Sequence, residues 1–380
     1  MKIGIDASNL RSGGGVTHLI EILNVFEPSN YSFDSICIVV FGNKKTLNKI
    51  SNKNWLIKKS NYFLEKNLFF RTFWQFFILK WALKNMKCDI LFSPGGRDQS
   101  NFKPMVTMSR NMLPFEYREL FKFGWSFMTL KLLFLRFLQI KTFNKSDGLI
   151  FLSEYAKKKV STNLNTNKIN TVVIQHGINM KFYLKPRPQK SFKSFISNNP
   201  CKIIYVSTLD PYKHHINIIN AVKNLNKKGI PISLILVGSI GQSFKKIQKE
   251  IYNYENIINY YGEISYENLQ DFYLKADIGI FASSCENLPN ILLEKMASGL
   301  PIVSSNYEPM PEVLRNGGLY FNPESVFEIE EQLEKLVRSK DLRETLSKQS
   351  FQIAELYSWE KCSEETFNFI NKCYKLSKLK

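Results

Sequence analysis

Short runs of apolar, mostly β-branched residues alternate with segments of helix length along the whole chain. Runs of this length predict buried strands, and the segments between them fit the helical crossovers that join parallel strands. The alternation therefore predicts an α/β fold built on doubly wound parallel sheets. We expect strands at residues 3–6, 36–41, 89–93, 105–108, 149–152 and 171–174, and again at 202–206, 233–237, 257–261, 278–282, 302–304 and 319–321.

The alternation occurs twice, and a chain of 380 residues is long enough for about two domains. Residues 185–200 separate the two series, since they lack periodicity and contain Pro186, Pro188 and Pro200. We expect a Rossmann-like N-terminal domain at 1–184, a linker at 185–200 and a Rossmann-like C-terminal domain at 201–355. A helix is expected at 356–380, with packing back on the N-terminal domain as one option. Ligands of such sheets bind beyond the carboxyl ends of the strands, so the two domains should face a cleft.

The net charge of +19 lies entirely in the first half of the chain. Residues 1–190 hold 30 basic and 11 acidic side chains, whereas residues 191–380 hold 22 of each. This asymmetry indicates that one domain meets something negative, and nucleic acid, a membrane and a phosphorylated substrate are the candidates. A nucleic-acid-binding protein is the weaker alternative, because no helix-turn-helix, zinc, RRM or OB signature accompanies the charge.

Several motifs are missing from the sequence. The six cysteines form no CxxC pair and have no histidine nearby, which indicates neither a zinc site nor a disulfide framework. The N-terminus lacks the apolar core of a signal peptide, and no stretch approaches 18 uncharged apolar residues. We therefore expect a cytoplasmic protein without a metal site or a membrane-spanning helix.

Four of the loops that follow predicted strands contain weak binding signals. Gly14 and Gly15 precede an apolar helix and would aim backbone amides at a ligand, although a run of three glycines is as often a flexible turn. Lys213 stands near a helix start, where a phosphate would suit, although most lysines are solvated. Gly238 and Gly262 each end a strand, where glycine permits the close approach of a flat ligand or simply a turn.

Residues 283–301 carry the strongest signal. Pro289 favours the first turn of a helix and Gly299 the position past its end, which predicts a helix of about ten residues. Glu286 precedes this helix and Glu294 lies inside it, so the two carboxylates could act in one pocket while free helix amides face a phosphate. A solvated surface acid is the alternative for Glu294.

These motifs, and the order of the strands around them, resemble a retaining glycosyltransferase of family 4 with the GT-B fold over essentially the whole chain. Glu286 and Glu294, followed by Ala297-Ser298-Gly299-Leu300-Pro301, match the E-x7-E signature of that family. The resemblance implies that Glu294 binds the ribose of the donor nucleotide, that Glu286 contacts the donor sugar, and that Lys213 holds the diphosphate, with Glu286 and Lys213 as the catalytic pair. The donor-binding residues that it implies are Gly14, Gly15, Thr208, Lys213, Gly238, Gly262, Glu286, Asn287, Leu288, Pro289, Asn290 and Glu294.

The sequence departs from the family pattern at two places. Thr208 stands where many relatives have an arginine, which leaves Lys213 as the main side-chain cation on the diphosphate. A histidine contact to the donor sugar is missing after the strand at 105–108, where Arg110 or Asn111 would face the donor or the acceptor instead. No Asp-x-Asp motif occurs, so we expect cations and helix amides to hold the diphosphate without a metal ion.

The resemblance implies transfer of a hexose-type sugar from a nucleotide-diphosphate sugar, used as co-substrate without a cofactor, to a glycan or lipid-linked acceptor in surface polysaccharide or lipopolysaccharide synthesis. A front-face displacement is the expected mechanism, since the glutamates of the family are assigned to hydroxyl binding rather than to attack on the sugar. A nucleotide-sugar epimerase or a glycan phosphorylase on the same fold is the alternative.

Residues 62–81 predict a membrane contact. Lys80, Lys84 and Lys87 fall at helical spacing beside a run of aromatic residues, and apolar insertion beside a basic stripe is the interfacial pattern. We expect the N-terminal domain to dock on an anionic membrane, peripheral on the inner face of the cell membrane, with a buried core helix as the alternative. The aromatic residues are Phe63, Phe69, Phe70, Phe73, Trp74, Phe76, Phe77 and Trp81.

Residues 121–138 form a second apolar stretch. Lys122, Lys131, Arg136 and Lys141 should point around its helix rather than along one side. We therefore expect this second stretch to lie in the core, with its long cationic side chains reaching solvent at the ends.

Overall fold

The computed structural model describes residues 1–11, 13–30, 36–165 and 168–379. The chain divides into two compact units. The first unit contains Met1–Phe115, Leu130–Gly177 and Ser358–Lys380, and the second contains Glu116–Thr129 and Ile178–Tyr357.

The first unit is built on a parallel sheet of seven strands. These are β1 (Lys2–Asp6), β2 (Cys37–Phe41), β3 (Leu56–Lys59), β4 (Ile90–Ser93), β5 (Met105–Met108), β6 (Gly148–Phe151) and β7 (Asn170–Val173). Their order across the sheet is β3-β2-β1-β4-β5-β6-β7, so the chain winds outward from β1 in both directions.

The second unit repeats this plan with a parallel sheet of six strands. These are β8 (Cys201–Val206), β9 (Ile232–Val237), β10 (Ile258–Tyr260), β11 (Ile278–Phe281), β12 (Ile302–Ser305) and β13 (Gly318–Phe321), in the order β10-β9-β8-β11-β12-β13. The predicted α/β class with two doubly wound parallel sheets is confirmed.

Helices connect the strands and cover the faces of both sheets. Serine residues begin four of them, since Ser153, Ser325, Ser339 and Ser358 each accept a hydrogen bond from the amide three residues on. The helices of the described residues are α1 (Gly14–Asn24), α2 (Lys44–Leu47), α3 (Tyr62–Glu65), α4 (Leu68–Phe73), α5 (Leu79–Asn85), α6 (Tyr117–Phe121), α7 (Phe127–Lys145), α8 (Glu154–Ser161), α9 (His215–Lys227), α10 (Phe244–Ile251), α11 (Leu269–Lys275), α12 (Asn290–Ala297), α13 (Met310–Leu314), α14 (Val326–Arg338), α15 (Lys340–Ala354) and α16 (Trp359–Lys378).

The central strands are buried along their length, which explains why their sequences are apolar on both faces. All six residues of β9 and all four of β11 and of β4 are buried. Strand β3 was not predicted from the sequence, because it lies at the sheet edge and its residues Lys58 and Lys59 interrupt the apolar run.

The units divide at positions different from the predicted domain bounds. Residues 178–184 lie in the second unit, where the amide of Leu184 donates to the carbonyl of Ala297 at 2.9 Å. The predicted linker at 185–200 lies in the same unit, and the guanidinium of Arg187 donates to the carbonyl of Ala276 at 2.9 Å, at the end of α11. Residues 358–380 lie in the first unit and residues 116–129 in the second.

The structure places the two apolar stretches on the surface. Phe69, Phe77 and Trp81 of the first stretch are exposed, whereas Trp74 packs in the core. Lys80 and Lys84 share α5, but Lys87 follows the helix end with a φ of 53°, so it lies outside the predicted stripe.

The expectation that the second stretch lies in the core is wrong. Helix α7 exposes Phe127, Leu130, Phe134 and Phe137. Among the residues that the structure describes, no helix is long and apolar enough to cross a bilayer.

Candidate active site

The candidate donor-binding residues of the second unit follow the carboxyl ends of β8, β9, β10 and β11. After β8, residues Pro211–Lys213 form a short 3-10 turn that leads into α9. The Tyr205 hydroxyl donates to the carbonyl of Lys213 at 2.8 Å and fixes this turn against the buried end of the strand. The turn directs the Lys213 side chain into the interior, where only 8% of the residue is exposed.

Lys213 and Glu286 form an ion pair between the ammonium group and the carboxylate. The ammonium group also lies 4.8 Å from the centre of the Tyr212 ring. Burial lowers the pKa of Lys213, but the Glu286 carboxylate raises it further, and the net pKa lies above that of a free lysine. The two residues assigned to catalysis from the sequence are therefore brought into direct contact, and Lys213 keeps its positive charge.

Ser284 ties the loop of Glu286 to the loop of Lys213. The Ser284 amide donates to the carbonyl of Tyr212 at 3.0 Å, and its hydroxyl lies 2.9 Å from Nε2 of His214. The same hydroxyl donates to the carboxylate of Glu119, which is buried and comes from α6. Burial and, to a smaller extent, the neighbouring Lys122 cation lower the pKa of His214 to about 4. Its ring is therefore neutral at physiological pH. Glu119 was not predicted as part of the site, because it is far from residue 284 along the chain and no local motif marks it.

Helix α12 begins directly after the Glu286 loop. Pro289 occupies its N-cap position and Asn290 is its first residue, so the helix has eight residues rather than the predicted ten. Gly299 follows its end with a φ of 62°, a left-handed conformation that favours glycine. The amides of the first turn have no partner within a helix, and the buried Oδ1 of Asn290 has no hydrogen-bond partner among the described residues. Asn287 and Leu288 are buried beside them.

Glu294 is buried in α12, which excludes a solvated surface acid. Its Oε2 accepts a hydrogen bond from the Tyr273 hydroxyl at 3.2 Å. Burial raises the pKa of Glu294 to about 8, even though the bond from Tyr273 and the neighbouring Lys295 lower it. The Lys295 ammonium group donates to the carbonyl of Ile280 at 2.6 Å, and burial lowers its pKa to about 7.

Gly238 and Gly262 have different structural roles. A Cβ atom on Gly238 would lie 1.8 Å from the carbonyl oxygen of Ser207, so this glycine allows two backbones to pass closely. Its amide donates to the carbonyl of Gly262 at 2.8 Å. Gly262 has a φ of 72° and open space where a Cβ would stand, which suits the approach of a ligand. The exposed Thr208 donates its hydroxyl to Asp210 at 3.2 Å.

Four candidate residues lie in the first unit. Gly14 and Gly15 form the first turn of α1, after Gly13 with a φ of 68° at the N-cap position. The Arg110 guanidinium donates to the carbonyl of Gly14 at 2.8 Å, so the sequence candidates Arg110 and Gly14 are brought together. Asn111 is exposed, and its Oδ1 accepts a hydrogen bond from the amide of Leu113.

The second-unit residues combine the groups that bind a phosphorylated ligand. A charged lysine, a loop stabilised by Ser284 and the first turn of α12 supply positive charge and amide donors. The described residues contain no group of three or more histidine, cysteine or carboxylate side chains arranged to hold a metal ion. The site can thus bind an anion together with a polar group next to that anion.

Residues 186–352 match the family model "Glycosyl transferases group 1". This match covers the loops of Lys213 and Glu286 and the whole of α12. Over these residues the second unit of the chain is thus similar to a glycosyltransferase group 1 domain.

Curated glycosyltransferases are also similar to part of the chain. The O-antigen chain mannosyltransferase B of Escherichia coli is 28% identical over 168 residues, which cover 43% of this chain and 44% of that protein. The chain spans about half the length of the curated relatives it matches first.

Solved structures extend the similarity to the whole chain. HepE of Anabaena, crystallised with UDP and glucose, aligns with a TM-score of 0.71 and 17% identity over 98% of this chain and 100% of that chain. Sucrose-phosphate synthase of Thermosynechococcus elongatus aligns with a TM-score of 0.77 and 14% identity over 99% of this chain and 100% of that chain. These similarities confirm the predicted GT-B fold.

Proposed function

We propose that the chain is a retaining glycosyltransferase of family 4 that moves a hexose-type sugar from a nucleotide-diphosphate sugar to a glycan or lipid-linked acceptor. The observation that carries this proposal is the ion pair of Lys213 with Glu286 immediately before α12. It sets a diphosphate-binding cation beside a carboxylate that can bind sugar hydroxyls. The O-antigen mannosyltransferase among the relatives supports a role in surface polysaccharide or lipopolysaccharide synthesis.

In this proposal the donor diphosphate takes the place of Glu286 as the partner of Lys213. The first-turn amides of α12 and the side chain of Asn290 bind the remaining phosphate and sugar oxygens. Glu286 then turns to the hydroxyls of the sugar, and Glu294 accepts hydrogen bonds from the ribose, as in the E-x7-E assignment. Positive charge from Lys213 and the amides stabilises the leaving diphosphate, so the reaction needs neither a metal ion nor a cofactor.

Retention follows from a displacement on one face of the sugar. In this proposal Glu286, released from Lys213, binds the sugar hydroxyls, so it does not attack the reacting carbon. The bond from that carbon to the leaving phosphate oxygen breaks while the acceptor oxygen bonds to the same face. The leaving diphosphate takes the proton of the acceptor hydroxyl.

A donor panel tests this function and separates it from its alternatives. UDP- and GDP-sugars are mixed with the protein, and consumption of the donor and the anomeric configuration of the product are followed by NMR. A transferase releases nucleotide and keeps the configuration of the donor. An epimerase would return a changed nucleotide-sugar without releasing nucleotide, and a phosphorylase would require inorganic phosphate.

We further propose that the exposed aromatic residues of α4, of the π-helical turn Trp74–Ile78 that follows it, and of α5 dock the first unit on an anionic membrane. Phe77, 69% exposed, and Trp81 lie near the exposed Lys80 and Lys84, and residues 66–88 contain no acidic side chain. Such a surface favours the inner leaflet of the cell membrane, which is negatively charged, and would bring the enzyme to a lipid-linked acceptor. Binding to anionic vesicles should weaken with salt and in the Lys80→Glu and Lys84→Glu variants, while equal binding to neutral vesicles would contradict it.

A further inference from the structure

Helix α7 presents a continuous apolar stripe to solvent. Leu130, Phe134 and Phe137 recur at steps of four and three residues, which places them on one side of the helix, and each is 62% exposed. Lys141 occupies the next position on the same side and is exposed. Lys131, which is also exposed, follows Leu130 at the other end. We call Leu130, Phe134 and Phe137 the α7 stripe.

The opposite side of α7 is firmly packed in the first unit. Leu132 and Phe143 are buried, and the Phe143 ring stacks on Phe115 at 6.3 Å between centres. The Arg136 guanidinium, which the sequence suggested would reach solvent, donates to Oδ1 of Asn163 at 2.7 Å and to the carbonyl of Pro114. The exposure of the stripe is therefore a property of a well-anchored helix.

The charge around the stripe has one sign. Residues 120–146 contain no Asp or Glu, so Lys131 and Lys141 have no acidic neighbour along the helix. A symmetric contact between two copies of the stripe would bring these lysines together without a counter-charge. Anionic lipid headgroups would neutralise them, while acyl chains would take up the phenylalanine and leucine side chains.

We propose that the α7 stripe is a second membrane-docking surface, occupied by the headgroup region of an anionic bilayer. From Leu130 to Lys141 the helix rises about 16 Å, so it can lie flat in the interface, with Lys141 at the end of the apolar stripe and its long side chain reaching the headgroups. The inference rests on the proposed function, since it concerns how a membrane-docked transferase reaches a lipid-linked acceptor. It adds a contact on an element that the sequence had assigned to the core.

Vesicle sedimentation of the full chain tests the affinity. The Phe134→Ser and Phe137→Ser double variant should bind vesicles of phosphatidylcholine with phosphatidylglycerol about 10- to 100-fold more weakly than the wild type. The matched control is Phe327→Ser, which removes a 71% exposed phenylalanine from α14 in the second unit and should leave binding unchanged. Equal binding by the wild type and the double variant would overturn the proposal.

Insertion itself is tested with tryptophan reporters. Brominated lipid in anionic vesicles should quench the tryptophan fluorescence of Phe134→Trp more strongly than that of the wild type. It should quench Phe327→Trp no more strongly than the wild type. Absence of that extra quenching overturns the proposal, as does a concentration-dependent dimer that Phe134→Ser abolishes without an effect on vesicle binding. Vesicle binding and fluorescence quenching are measured without donor or acceptor. If quenching is observed but no sugar transfer is found, the result contradicts the proposed function and leaves the membrane contact of α7 supported.

Discussion

At the scale of single residues, the chemistry depends on a lysine and a carboxylate that are paired before any ligand arrives. Lys213 and Glu286 are both largely buried, and each compensates the cost of burying the other. A diphosphate that binds Lys213 must therefore compete with Glu286. This competition makes the separate roles of the two residues measurable.

Replacing Glu286 by glutamine should separate nucleotide binding from turnover. Glu286→Gln removes the competing charge, so UDP or GDP should bind as tightly as to the wild type or more tightly. Turnover should fall about 100-fold because the sugar contact is weakened in the transition state. Calorimetry with the nucleotide and steady-state kinetics measure the two effects, and a variant with lost nucleotide affinity and unchanged kcat would contradict the assignment.

Glu294 should make nucleotide binding depend on pH. Its pKa of about 8 means that the ligand-free protein holds the proton at pH 7, whereas two ribose hydroxyls need a carboxylate to accept their hydrogen bonds. Affinity should rise up to about tenfold from pH 7 to pH 9 and level off above the pKa. The profile should be flat in Glu294→Gln, and Glu294→Ala should bind nucleotide about 10- to 150-fold more weakly at pH 9. A wild-type profile as flat as that of Glu294→Gln would contradict this role.

At the scale of elements, two glycine residues at strand ends differ in why glycine is needed. Gly238 is required by backbone packing, whereas Gly262 leaves open space that suits a ligand. Gly238→Ala should destabilise the fold by about 2–4 kcal/mol, since its Cβ would collide with the Ser207 carbonyl. Gly262→Ala should cost about 1 kcal/mol, because only its left-handed φ is unfavourable. Urea unfolding measures the free energy of unfolding of both variants. A Gly238→Ala variant as stable as Gly262→Ala would show that the backbone at this strand end can move to accommodate the Cβ atom.

The elements that could be predicted are those fixed by local sequence. Most strands were predictable because a buried parallel strand needs an apolar run, and α12 was predictable because Pro289 and Gly299 mark its ends. The contact of Glu119 with Ser284 joins residues 165 positions apart, which a single sequence does not encode locally. The exposure of α7 was missed because an apolar helix at a membrane and one in a core have the same composition.

At the scale of the whole molecule, the basic residues are unevenly distributed between the two halves of the chain, and we propose that the halves have different tasks. The second half has balanced charge and contains most of the residues that match the model of glycosyl transferases group 1. The first half has the excess of basic residues, together with the exposed aromatic residues of α4, α5 and α7. Donor chemistry and access to the acceptor are thus proposed to lie in separate parts of one fold.

Sugar transfer by the whole protein should proceed without a divalent metal. Lys213 and the α12 amides are expected to neutralise the leaving diphosphate, so EDTA should leave the rate unchanged. The measurement is nucleotide release before and after chelation. Activity lost to EDTA and restored by Mg²⁺ or Mn²⁺ would show that a metal ion performs this task.

The most direct test of sugar transfer is nucleotide release from UDP- and GDP-sugars, measured with and without a lipid extract of the cells that make the protein. The wild type should release nucleotide from at least one donor, faster with the extract than without it. Lys213→Met and Glu286→Gln should lose that acceptor-dependent release. A rate of nucleotide release that does not change with the extract, or that is equal in the wild type and both variants, would contradict a glycosyltransferase acting through Lys213 and Glu286.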